Sequence, residues 1–96
     1  MIEVRQTEVF TAWFAGLRDA QAAKRIVVRI RRLADGNPGQ VRALKGGVRE
    51  MKIDYGPGYR MYYTQRGQRL VILLCGGDKR TQDADIAAAT AMAKEV

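Results

Sequence analysis

The stretch that decides the fold is Val48-Arg49-Glu50-Met51-Lys52-Ile53-Asp54-Tyr55-Gly56-Pro57-Gly58-Tyr59-Arg60-Met61-Tyr62-Tyr63-Thr64-Gln65, with the apolar run Arg69 to Cys75 that follows it. In residues 48–54, Met51 and Ile53 alternate with Glu50, Lys52 and Asp54. In residues 59–65, Met61 and Tyr63 alternate with Arg60, Tyr62 and Thr64. Period two marks strands, and Tyr55-Gly56-Pro57-Gly58 between them reads as a turn. Arg66-Gly67-Gln68 is a tight connection. The nearly all-apolar run 69–75 reads as a central strand covered on both faces, ended by Gly76-Gly77-Asp78. Both apolar sets of the hairpin share one core only if paired positions sum to an even number. Lys52 then stands opposite Arg60 or Tyr62, and a one-residue slip would bury Lys52 and expose Met51. Glu50, Lys52, Arg60 and Tyr62 are therefore expected together on the exposed face of the sheet.

Working outward, Ile2 to Gln6 is a short first strand. Thr7 is a plausible N-cap, with Glu8 in the first turn, for a helix whose apolar residues Phe10, Trp13, Phe14 and Leu17 recur at helical spacing. Asp19 caps a second helix with the apolar line Ala23, Ile26, Val27, Ile30 and Leu33, its other face carrying Lys24, Arg25, Arg29, Arg31 and Arg32. The breakers Asp35-Gly36-Asn37-Pro38-Gly39 end it, and a loop holding Lys45-Gly46-Gly47 leads into the hairpin. From Arg80 or Thr81 onward, Ile86, Ala89, Thr90 and Ala93 predict a last helix with a mostly alanine face, expected to dock shallowly and fray at its far end. The class is α+β in the order βααβββα: a helical hairpin on one face of a small, mostly antiparallel sheet, with a short C-terminal helix and residues 1–96 as a single domain.

Seventeen Lys and Arg against ten Asp and Glu give 96 residues a formal charge of +7. A field of that size on a small domain attracts polyanions, with nucleic acid as the first candidate and an acidic protein as the second. With no histidine and one cysteine, a Cys-His nucleophile and a Cys/His zinc site are excluded, and Cys75 in its apolar run reads as an inert buried thiol. No run approaches the ~20 apolar residues of a membrane-spanning helix, and the N-terminus lacks the apolar core of a signal peptide, so a cytoplasmic location is expected. Opposite charges across strands stabilise a sheet by ~0.2–1 kcal/mol, which accounts for Glu50 beside Arg60 without any function. The segment Gly76-Gly77-Asp78-Lys79-Arg80 adds a second feature: backbone N–H donors and two cations at the end of a central strand, where a phosphate would be well received.

The string Glu50 to Tyr63 resembles the central hairpin of the RelE/HigB/ParE toxin superfamily, most of all its phage-derived, HigB-like, addiction-module killer branch. Leu73 to Arg80 with Gln82, Asp85 and Ile86 resembles that branch's closing motif, and Leu44-Lys45-Gly46 its loop before the hairpin. The resemblance implies a type II toxin that needs no cofactor or metal. It is held in check by a cognate antitoxin, an HTH protein or an acidic segment, and its RelE and HigB relatives cleave mRNA on the ribosome. In such chemistry the ribose 2′-OH attacks the adjacent phosphate and the 5′-oxygen leaves. Arg60 matches the family arginine expected to clamp the phosphate, since its planar fork suits phosphate better than lysine does. Lys79 and Arg80 match the basic pair after the last strand. Lys52 and Glu50 fall near the basic and acidic strand positions, and Lys45, Tyr62 and Gln82 are expected substrate contacts. The segment Thr81 to Ile86 lacks the tyrosine or histidine that relatives carry there, which leaves Glu50, Lys52 or Tyr62 as stand-in bases. Two other readings share the fold: a ParE-like gyrase poison, and a non-catalytic RNA- or ribosome-binding module.

Overall fold

The computed structural model describes residues 1–96. Its elements are β1 (Glu3–Gln6), α1 (Glu8–Ala15), α2 (Ala20–Ala34), β2 (Val41–Ala43), β3 (Val48–Ile53), β4 (Tyr59–Arg66), β5 (Leu70–Gly77) and α3 (Gln82–Ala93). The class is α+β as expected, with one more strand than the sequence announces. β2 has only three residues and follows the breaker cluster, so no periodicity identifies it; pairing with β3 creates it, Arg42 standing opposite Glu50. The sheet order is β1-β5-β4-β3-β2, antiparallel except where β1 runs parallel to β5. The apolar run in β5 thus has a strand on each side. No helix is long and apolar enough to cross a membrane.

The helix starts follow local chemistry. The Thr7 hydroxyl accepts from the Phe10 N–H at 3.1 Å, and the Asp19 carboxylate accepts from the N–H groups of Gln21 and Ala22. Capping of this kind contributes typically ~1 kcal/mol per helix. α1 and α2 lie on one sheet face, where Phe10, Ile26, Leu33, Met51, Met61 and Leu73 are almost wholly removed from water. The hairpin pairs Lys52 with Arg60, Met51 with Met61 and Glu50 with Tyr62, the even register that the alternation demands.

The other face departs from expectation. α3 packs against it and closes a second core of Val48, Tyr62, Leu74, Cys75, Ala89 and Ala93. Tyr62 is therefore fully buried rather than exposed, and Glu50 and Arg60 are nearly so; of the four residues expected on an open surface, Lys52 alone is exposed. The helix reaches this face because its alanines let it approach closely over bulky sheet residues. Its far end is tied rather than free, Arg66 donating to the carbonyls of Ala93 and Val96 at 2.7 and 2.9 Å.

A β-bulge prepares this packing. Tyr63 pairs with Leu73 but Tyr62 with Cys75, so Leu74 is the extra residue and the alternation of β5 flips beyond it. Gly76 consequently lies beneath the Trp13 indole of α1, and Gly77 beneath the Asp85 carboxylate of α3; a Cβ at either would overlap these groups. Both glycines are needed for close packing on opposite faces.

Candidate functional site: a basic cleft beside the hairpin turn

The cleft forms where β3 ends and β4 begins. Lys52, Asp54, Tyr55, Gly56, Pro57, Gly58, Arg60 and Lys79 surround an open volume of about 390 Å³. Lys52 and Arg60 face each other across the ladder, and Lys79 arrives from the turn after β5. Gly56 and Gly58, which line the cleft, have φ of +58° and +79°, a left-handed geometry that glycine adopts without strain. Arg60 Nη1 donates to the Gly58 carbonyl at 2.9 Å, while Nε lies 3.7 Å from Glu50 Oε2 and has no hydrogen-bond partner. The side chain is only 9% exposed, so its charge acts in a medium that screens it less than water does.

Behind Arg60 stands a carboxylate hub. Glu50 is 7% exposed. Its Oε2 accepts from the Tyr62 hydroxyl at 3.1 Å and from Gln82 Nε2 at 2.9 Å, and its Oε1 meets Arg42 Nη2 at 3.1 Å. A buried charge persists only when paired and hydrogen-bonded, and four neighbours meet that need here. The Tyr62 hydroxyl is raised above the ordinary range by burial and by the adjacent Glu50 carboxylate. A phenol in that state is a donor to Glu50 and not a base, which withdraws Tyr62 as a stand-in base and as a surface contact. Gln82 is engaged with Glu50. Arg42, on the unforeseen strand, escaped the sequence reading. Its signal is the basic residue placed to meet Glu50 once Val41-Arg42-Ala43 is paired.

The remaining expected residues divide. Lys79 lines the cleft and also a neighbouring recess formed with Arg80, Thr81, Gln82 and Asp83. Arg80 lies in that recess, outside the cleft, and is held by Asp78, whose carboxylate accepts from Arg80 Nη2 at 2.9 Å and from its backbone N–H at 2.9 Å. Asp78 thus takes the Arg80 backbone N–H and guanidinium expected to receive a phosphate. Its carboxyl lies below the ordinary range, chiefly through the Arg80 side-chain hydrogen bond. Lys45 sits in a short turn just before β3, at the opposite end of that strand from Lys52, and belongs to neither recess. No cluster of three or more His, Cys, Asp or Glu side chains is placed to hold a metal ion. The Cys75 thiol is buried, and burial together with the Asp85 carboxylate pushes it up to about 11 from its usual 9.0.

The arrangement can bind an anion between three cations, one of them desolvated and anchored. Comparison with known proteins places it in context. A protein of Haemophilus influenzae strain Rd, which bears the name "Uncharacterized protein", is 43% identical over 95 residues, spanning 99% of this chain and 96% of its own. The family profile described as "Phage derived protein Gp49-like (DUF891)" matches residues 12–94, from α1 through α3 and including the whole cleft. This chain belongs to the phage-derived Gp49-like family.

Proposed function

We propose that the protein is the toxin of a type II toxin–antitoxin pair and cuts mRNA on the ribosome by metal-free attack of a ribose 2′-OH on the neighbouring phosphate. The observation that carries this reading is the Arg60 guanidinium, nearly buried, anchored on Gly58 and grouped with Lys52 and Lys79 around one cleft. The resemblance of the hairpin and closing strand to RelE and HigB toxins supports it, as does membership of a phage-derived family. In this reading Arg60 binds the scissile phosphate, Lys52 balances the charge that builds as the 2′-oxygen bonds to phosphorus, and the 5′-oxygen leaves with a proton from the Lys79 ammonium. Asp54 is the carboxylate that lines the cleft, 3.3 Å from Lys52, and is the acceptor for the 2′-OH proton. Glu50, saturated by its neighbours, positions Arg60. The antitoxin, an acidic segment or an HTH protein, masks the cations, and toxin and ribosome meet in the cytoplasm.

The test is to reconstitute translation with wild-type protein and with Arg60→Ala and to map 5′ ends of the mRNA. Loss of one preorganised charge donor typically lowers such a rate about 10²–10³-fold. Normal cutting by Arg60→Ala would remove the clamp, and intact transcripts with arrested translation would reject the nuclease. A second reading, RNA or ribosome binding without cleavage, draws on one observation: Tyr62 and Gln82 are both engaged with Glu50 and no histidine exists. Ribosome binding with steep salt dependence and no new 5′ ends is its signature.

A further inference from the structure

A second groove of about 380 Å³ runs along α2, lined by Lys24, Arg25, Val28, Arg29, Arg32 and Asp54 with Ile53 at its floor. Lys24, Arg25 and Arg32 are exposed and lie on one helix face. Arg29 differs from them. Its guanidinium donates to the carbonyls of Lys52, Pro38 and Gln40 at 2.9 to 3.3 Å, which ties α2 to β3 and to the loop before β2. Asp54 lines both this groove and the hairpin cleft, so the two are adjacent with Asp54 between them. At the junction the Arg25 guanidinium lies 4.6 Å over the Tyr55 ring, while Tyr55 itself lines the hairpin cleft and its hydroxyl donates to Asp19. A flat ring and a planar cation therefore lie between two cationic depressions, and Arg29 links the helix of one to the strand of the other.

We infer that the α2 groove and the hairpin cleft are two halves of one path for single-stranded RNA, with phosphates on Lys24, Arg25 and Arg32 at one end and on Lys52, Arg60 and Lys79 at the other. This inference rests on the RNA reading above and extends it to a part of the molecule that the cleavage chemistry does not need. Cations alone would suit any polyanion. The Arg25–Tyr55 platform favours a chain that carries planar bases, because a base stacks on an aromatic ring or a guanidinium whatever its identity. Asp54 at the divide repels phosphate, so the strand sets a ribose or base edge there, where a carboxylate accepts from a hydroxyl or an amino group. A run of glutamates has no ring for the platform, and its carboxylates are repelled at Asp54.

The experiment measures binding of purified protein to fluorescein-labelled oligoribonucleotides of four and twelve nucleotides by anisotropy, between 50 and 200 mM salt. Their riboses are unmodified, since the cutting proposed above needs the ribosome and none is present. The variant Lys24→Ala/Arg25→Ala/Arg32→Ala is expected to bind the twelve-mer at least about tenfold more weakly. Its salt dependence should be shallower by about two in log–log slope, since each single-strand phosphate contact contributes about 0.7, and four-mer binding should be unchanged. Tyr55→Ala is expected to weaken the twelve-mer about tenfold, and Tyr55→Phe, which keeps the ring, to leave it unchanged. Arg60→Ala weakens both lengths. Triple-variant binding equal to wild type, with Arg60→Ala still defective on both lengths, overturns the path and leaves the cleft reading standing. Failure of the wild type to bind either oligonucleotide overturns the path, while cutting on the ribosome is judged separately by the mapped 5′ ends. A twelve-residue polyglutamate peptide that binds as tightly as the twelve-mer, and loses as much in the triple variant, overturns the RNA path in favour of an acidic protein.

Discussion

The two faces of the sheet are built from the same three strands and are put to opposite uses. Toward α1 and α2 the strands present Met51, Met61, Tyr63 and Leu73, which meet Phe10, Ile26 and Leu33 in a continuous apolar layer. Toward α3 they present Val48 and Leu74 at one end and Glu50 and Arg60 at the other, with Tyr62 between them touching both. The first face removes hydrocarbon from water and holds the fold. The second is half apolar and half ionic, and its ionic half opens into the cleft through Arg60. A charge kept close to solvent yet largely out of it is costly to maintain. It stands here because the Gly58 carbonyl and the Glu50 carboxylate face it.

Substitutions sharpen that contrast. The largest effect expected is at Phe10, 1% exposed at the centre of the apolar face: Phe10→Ala should cost about 3–5 kcal/mol in denaturant unfolding. Gly76→Ala comes next, because its methyl must displace the Trp13 ring; overpacking of this kind costs about 1–3 kcal/mol, and a blue-to-red change in tryptophan fluorescence would report the ring's exposure to water. On the ionic face, Tyr62→Phe removes one hydrogen bond to Glu50 while Gln82 and Arg42 remain. About 0.5–1.5 kcal/mol should be lost, less than for either change on the apolar side. A cost above that of Phe10→Ala would reverse the comparison.

A pH dependence tests the apolar part of the α3 face separately. With the folded thiol of Cys75 near 11 and its ordinary value at 9.0, the unfolded chain loses this proton first as pH rises. Its contribution to stability is complete below pH 9 and declines as pH rises through about 11. The raised Tyr62 phenol acts in the same direction above its ordinary value of 10.0. Unfolding midpoints should fall between pH 9 and 11, and Cys75→Ala should flatten the fall. An equal decline in wild type and variant would show that the thiol takes no part.

Much of the site was legible because strands alternate. The parity of Met51, Ile53, Met61 and Tyr63 alone sets Glu50, Lys52, Arg60 and Tyr62 on one face, and the observed register agrees. The cover on that face was not legible. α3 has little amphipathic contrast, since small alanines sit on all its sides, so nothing in its own pattern says which surface it meets. Lys79 and Arg80 are neighbours in the chain and look equivalent. Asp78 holds one of them beside the turn, and the other reaches the cleft.

What the chain determines unaided is what short-range rules govern: the caps at Thr7 and Asp19, the two helices, the hairpin register and the excess of positive charge. Each depends on residues a few positions apart or on simple sums, and each survives in the fold. Tertiary structure alone decides that Glu50 is surrounded, that Tyr62 is buried, that a three-residue strand brings in Arg42, and that Gly76 and Gly77 make room for Trp13 and Asp85. Those outcomes depend on contacts between distant segments. The energy of such contacts comes from desolvation and close packing, which no single segment encodes.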